Sequence, residues 1–216
     1  MMRICIVCEG STEVIFVKSC LAPHLLDHGV CAYPTLLRAP SGNHRGGRVT
    51  VERLARFISH ELHAADRITT LVDYYGFSDA KGRSCVQLEQ DIAEEVVRRA
   101  PSADPRFIRP YIQMYEFEGL LFSDVGQFHH VLDGWAPDVH KTLANIRNEF
   151  PTPEDINNSP QTAPSKRILA AFPAGSYGKA EHGPLIADAI GLETMRRQCP
   201  RFSTWLSLLE SWHPDG

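Results

Sequence analysis

The chain has 216 residues, 43% hydrophobic and 22% charged, with a formal net charge of −4. That length suits one α/β core with a helical extension, since single cores grow to roughly 250 residues before splitting, and the balance is that of a globular protein, not a disordered or fibrous one. A net negative chain excludes a uniformly basic nucleic-acid binder, so any such contact needs a local basic patch.

The first element, residues 3–8, is an apolar run rich in β-branched residues and reads as a buried strand of a parallel sheet. It ends at Glu9. Gly10 permits a tight turn, Ser11 or Thr12 is a good N-cap, and Glu13 falls in the first turn of a helix expected at 15–27, bent by Pro23 and closed by Gly29. Because Glu9 cuts the apolar run short, no cleavable leader is expected. No run approaches the roughly 20 apolar residues that span a bilayer, so the chain is read as cytoplasmic and its six cysteines as reduced. Cys5-x-x-Cys8 has no second pair at metal-ligand spacing, and both residues fall within the strand, which favours buried free thiols.

A second strand is expected at 30–37, followed by a basic, glycine-rich loop at 40–48. Arg45 and Arg48 in that loop suit a phosphate, or a plain solvated loop. Apolar residues at helical spacing predict a helix at 49–65. The strand at 68–73 then ends in Asp73, with Tyr74, Tyr75 and Phe77 crowding its exit, either to stack on a base or to pack on the next helix. A helix at 85–99 carries an acidic run, 89–95, expected to face solvent. The strand at 107–115 leads to Glu116 and Glu118.

Strands alternating with helices predict a mostly parallel sheet with its strand exits on one edge. In such sheets ligands bind outside the carboxyl ends of the strands, where Glu9, Asp73, Glu116 and Glu118 would gather. Like charges there are costly without a cation, and a divalent metal is the economical explanation. Helices are expected at 138–150 and from Pro164. Lys166 and Arg167 at the second N-terminus oppose the helix dipole unless an anion sits there. Residues 175–183 read as a flexible loop bearing Lys179, and 184–212 as helices. The expected division is an α/β core at 1–125 and a mainly helical extension at 126–216 packed on it.

The strand running into Glu9-Gly10-Ser11-Thr12-Glu13, followed by a strand ending at Asp73 and by further acids, resembles the Toprim domain of topoisomerases, primases and OLD-type nucleases. It is similar above all to a bacterial Toprim-like family catalogued as domain of unknown function 4276, with hallmarks at 9–13, 71–75, 111–122 and 164–168. The resemblance implies an α/β, Toprim-like (Rossmann-like), mostly parallel sheet flanked by helices with a helical C-terminal extension. It also implies nuclease chemistry, with Glu9 and Asp73 as direct ligands of Mg²⁺ (or Mn²⁺). Glu13, Glu116 and Glu118 would hold a second ion, orient waters or act as base, and Lys166, Arg167 and Lys179 would offset phosphate charge. Arg45, Arg48, Tyr75, Lys166 and Arg167 are the candidates for binding DNA or RNA. One departure stands out: Toprim proteins carry Asp-x-Asp at the second site, whereas Tyr75 follows Asp73 here. The chain lacks Gly-x-x-x-x-Gly-Lys-Ser/Thr, so an ABC-type ATPase of the kind OLD-type nucleases use in phage defence would be a separate protein. The competing expectation is a degenerate module that binds nucleic acid or such an ATPase and regulates it.

Overall fold

The computed structural model describes residues 1–37, 49–157 and 159–212. The basic loop at 40–48, with Arg45 and Arg48, lies outside the described residues. The chain forms two compact units, Met1–Gln113 with Leu208–Gly216, and Met114–Ser207. No helix among the described residues is long and apolar enough to cross a membrane.

The first unit is an α/β, Rossmann-like layer built on five parallel strands: β1 (Met2–Cys8), β2 (Val30–Leu36), β3 (Arg67–Asp73), β4 (Ile108–Arg109) and β5 (Ile112–Gln113). The order is β2-β1-β3-β4, with β5 also paired to β3. In β1, Ile4 to Cys8 have no solvent exposure, the mark of a central strand covered on both faces. β2 carries Pro34, which a strand at an edge tolerates because its missing N–H faces no partner.

The helices follow from local chemistry. After Glu9 the chain enters α1 (Ser11–Phe16), a π turn at Val17–Leu21 and α2 (Ala22–Asp27) without leaving helical geometry. Pro23 cannot donate to the carbonyl four residues back and its ring would strike it; the wider π turn just before it absorbs that conflict. The N-cap is Gly10, one residue earlier than expected, because Glu13 reaches back to accept the Gly10 N–H at 3.0 Å. Helix α3 (Val51–Glu61) starts behind Thr50, whose hydroxyl accepts the Arg53 N–H at 3.1 Å. It begins late because Val49 is bridged to Phe77. Helix α4 (Cys85–Arg99) has the expected bounds and a Ser84–Gln87 capping box.

The strand expected unbroken at 107–115 is split at Pro110, which removes a ladder donor. Thr70, buried in β3, repairs the break: its hydroxyl accepts the Tyr111 N–H at 2.9 Å and donates to the Tyr111 carbonyl at 2.6 Å. Glu89, expected among solvated acids, instead accepts the Ile112 N–H at 2.8 Å.

The second unit is helical: α5 (Glu118–Leu121), α6 (Pro137–Asn148), α7 (Pro164–Ala171), α8 (Lys179–Ile190), α9 (Leu192–Gln198) and most of α10 (Pro200–Glu210). Phe117, Phe122, Phe128 and Phe202 fill its core. The loop expected at 175–183 ends at Gly178, which caps α8, so Lys179 is helical. Glu154, 4% exposed, caps α10 by accepting the N–H groups of Arg201 and Phe202 at 2.8 and 3.0 Å.

Burial pushes the Glu154 carboxyl up despite those donors. With a folded pKa above the unfolded value, its contribution to stability is full at low pH and is lost as pH rises through the folded pKa. Glu154→Gln should therefore flatten the pH dependence of the melting temperature in the acid range. Glu154→Ala orphans two buried donors and should cost about 2 kcal/mol or more in chemical denaturation.

Candidate functional site

Strands β1 and β3 are adjacent and parallel, with Cys8 opposite Leu71. Glu9 therefore falls level with Val72, one residue short of Asp73, and both acids leave the sheet at the same edge. Oε2 of Glu9 lies 3.4 Å from the Asp73 backbone nitrogen, a weak contact by hydrogen-bond standards. Gly76, in the turn after β3, lies against the Glu9 carboxylate, and a methyl group at 76 would collide with both its oxygens. The turn thus packs on that carboxylate, and any side chain at 76 would push it aside. Glu13 is 7% exposed and bound to the Gly10 N–H, so its role is to hold the strand-to-helix turn that presents Glu9.

Gln113 belongs to this edge and was missed in the sequence. It stands in register with Asp73 and is fully buried. Tyr111 donates to its Oε1 at 2.8 Å, while its amide nitrogen has no partner. Turning the amide over would satisfy one end and orphan the other, so a buried polar atom beside Asp73 is left for a ligand or water. A glutamine inside the apolar run Tyr111-Ile112-Gln113-Met114 was the available signal.

The cysteines take no part. Cys5 and Cys8 are fully buried, and their odd spacing in a strand sends them to opposite faces. Burial pushes both thiols up, outweighing the Thr35 hydroxyl at Cys5 and reinforced by Glu13 at Cys8. They remain protonated and unreactive at neutral pH.

The second unit holds the other acids. Tyr115 sits at φ 59°, a strained conformation for a bulky residue, and turns the chain into Glu116 and Glu118. Oε2 of Glu116 accepts the Ser165 N–H at 2.9 Å at the start of α7. The anion that Lys166 and Arg167 call for at that helix N-terminus is thus the chain's own carboxylate. Lys179 reaches both acids, with Nζ 3.5 Å from Glu116 and 3.4 Å from Glu118. Glu118 is 3% exposed, so that ammonium supplies counter-charge a metal would otherwise bring. Two buried hydroxyls here, Ser165 Oγ and Tyr177 OH, have no partner. Burial, then Glu118 and Glu116, push the Tyr177 phenol up, which keeps it a donor.

The remaining candidates are spread out. Lys166 is exposed on α7. Arg167 donates to the Thr162 carbonyl at 2.8 Å and lies over the Phe150 ring at 5.1 Å, a packed position. Tyr75 is half-buried beside Tyr74, whose hydroxyl donates to the Arg83 carbonyl at 2.8 Å, and Phe77 is buried. Packing therefore accounts for Phe77. The structure brings Glu9 to Asp73 in one unit, and Glu116, Glu118 and Lys179 together in the other. A surface cleft of about 670 Å³ lies elsewhere, between α3 and α4. Its charges pair with one another, as Arg99 does with Glu52 and Glu95 at 3.2 and 2.6 Å. That pattern marks a solvated surface, and the strand ends remain the candidate site.

A family model described as a domain of unknown function (DUF4276) matches residues 8–210. The chain belongs to the DUF4276 family. The match opens at Cys8, immediately before Glu9, and takes in the acids of both units. No curated protein and no solved structure matches the chain.

Two outcomes follow for this DUF4276 chain. Gly76→Ala should melt within a few degrees of wild type yet move the Glu9 carboxyl carbon resonance, because the atom displaced is the end of a flexible side chain; an unmoved resonance contradicts the contact. In native protein a thiol reagent should modify Cys20 and Cys31, which are partly exposed, well before Cys5, Cys8, Cys85 and Cys199.

Proposed function

We propose that the chain is a metal-dependent phosphodiester hydrolase acting on nucleic acid. The observation that carries this is the placement of Glu9 beside the Asp73 backbone at the exits of two central parallel strands, with Gly76 packed against the Glu9 carboxylate. Two carboxylates on neighbouring strand ends offer the hard oxygen donors Mg²⁺ or Mn²⁺ prefers, with room for water. Such an ion supplies Lewis acidity towards a phosphoryl oxygen and a water of lowered pKa. The chain's own part is positional. Gly76 packs on the Glu9 carboxylate, Glu13 braces the turn, and the buried Gln113 amide nitrogen can donate to an enclosed water. Lys166, exposed on α7, would meet a phosphate of the nucleic acid. The Toprim resemblance of residues 9–13 and 71–75 adds to this reading, and the wider proposal is a cytoplasmic defence nuclease working beside a separate ABC-type ATPase.

A second reading, a regulatory module without catalysis, draws on two observations. Lys179 already balances Glu116 and Glu118, and Tyr75 stands where a further acid would complete the site. We favour the enzyme because Glu9 and Asp73 themselves are both present at adjacent strand exits.

Wild type should cleave labelled DNA or RNA with Mg²⁺ or Mn²⁺ and stop on chelation. Glu9→Gln keeps shape but loses charge, and should lose about 100-fold or more, beyond what outer-shell partners usually cost. Lys166→Ala should weaken binding of all sequences evenly and lower the salt slope by about 1. A wild type inert on both substrates, with nucleic-acid binding that survives Glu9→Gln, would establish the module.

A further inference from the structure

We propose that His24, His28 and Glu210 form a Zn²⁺ site separate from the acids at the strand ends. His24 lies in the last turn of α2 and His28 is the residue that caps it, so the two rings come close at the C-terminal end of that helix. Their centroids lie 4.7 Å apart. Glu210, the last residue of α10, lies in the same unit as both histidines. Its Oε1 is 2.6 Å from His24 Nε2 and 3.9 Å from His28 Nε2. One ligand atom from each of the three residues falls within a 4.8 Å cluster.

The hydrogen bonding fixes the tautomer of His28 and so the atom it can offer to a cation. Nδ1 of His28 is 3.0 Å from the His24 carbonyl, an acceptor, so Nδ1 carries a proton. In the neutral ring Nε2 is then a bare lone pair facing a carboxylate oxygen. Two acceptors in that relation attract a cation, and a metal ion can take the place that a second proton holds in the ion pair. The carbonyl also provides the outer-shell partner that ligating histidines use to fix their orientation.

Four ligands at about 2.0 Å around zinc lie about 3.3 Å from one another, and the Glu210 separations from His24 and His28, 2.6 and 3.9 Å, fall on either side of that value. A small swing of the Glu210 carboxylate from His24 towards His28 equalises them. Two imidazoles and one carboxylate suit Zn²⁺, whereas the all-oxygen set at Glu9 and Asp73 suits Mg²⁺ or Mn²⁺. Side-chain exposures of 23%, 42% and 15% for His24, His28 and Glu210 leave the His28 side open for a water as fourth ligand. When bound, the ion would clip the end of α10 to α2 within the first unit.

The test uses untagged full-length protein in the Glu9→Gln background, which removes the strand-end site and makes the result independent of the proposed hydrolase. Calorimetry should show one Zn²⁺ per chain, a raised melting temperature, and, with Co²⁺ substituted, the visible bands of a tetrahedral site. His28→Ala should weaken Zn²⁺ binding by more than about 100-fold, above the upper range for outer-shell losses. Glu210→Gln preserves the hydrogen bond to His24, so it should fold normally, as checked by circular dichroism, and still lose the ion. Absence of zinc binding, or binding that survives both substitutions because the ion is held elsewhere, such as at the paired rings of His129 and His130, would overturn the proposal.

Discussion

Everything at the strand ends depends on β1 and β3 lying side by side and parallel at the middle of the sheet. Both strands are covered on both faces, so neither can shift without exposing Ile4 to Cys8 or Ile68 to Val72. A rigid pair of strands delivers Glu9 and Asp73 to one edge with little freedom left. The turn at Tyr74–Gly76 then approaches so closely that any side chain at 76 would push the Glu9 carboxylate aside. Pre-positioned acids of this kind are costly for a fold that needs no ion or substrate, and they are the reason we read the edge as chemical.

The acids of the second unit obey the same electrostatics with a different solution. Glu118 is almost fully buried, and Glu116 is turned onto the α7 N-terminus. The lysine that opens α8 stands between them. One ammonium and a helix N-terminus do there what an ion would do at Glu9 and Asp73. This contrast explains why a row of acids at predicted strand exits does not by itself define one metal site: each acid has to be followed to its partner.

Much of the first unit was legible in the sequence because its signals are local. The apolar runs ending at Glu9 and Asp73, and the helix at Cys85–Arg99, need no tertiary context to be recognised. What escaped depended on distant partners. The break at Pro110 keeps its place in the sheet only because Thr70 supplies the missing hydrogen bonds. Glu89 looks like a solvated helix acid until Ile112 is set beside it. Residues 175–183 have a loop's composition, yet Gly178 makes an N-cap and the helix starts at Lys179. His24 and His28 form a visible i, i+4 pair, but Glu210 is 186 residues from His24 and nothing local links them.

The central claim is that the carboxylates of Glu9 and Asp73 hold a divalent ion. The most direct measurement is anomalous scattering at the manganese edge from crystals soaked in Mn²⁺. The account predicts a peak within coordinating distance of both carboxylates, with Glu116 and Glu118 still paired to Lys179. Manganese seated between Glu116 and Glu118 with Lys179 displaced, and none at Glu9 and Asp73, would contradict it.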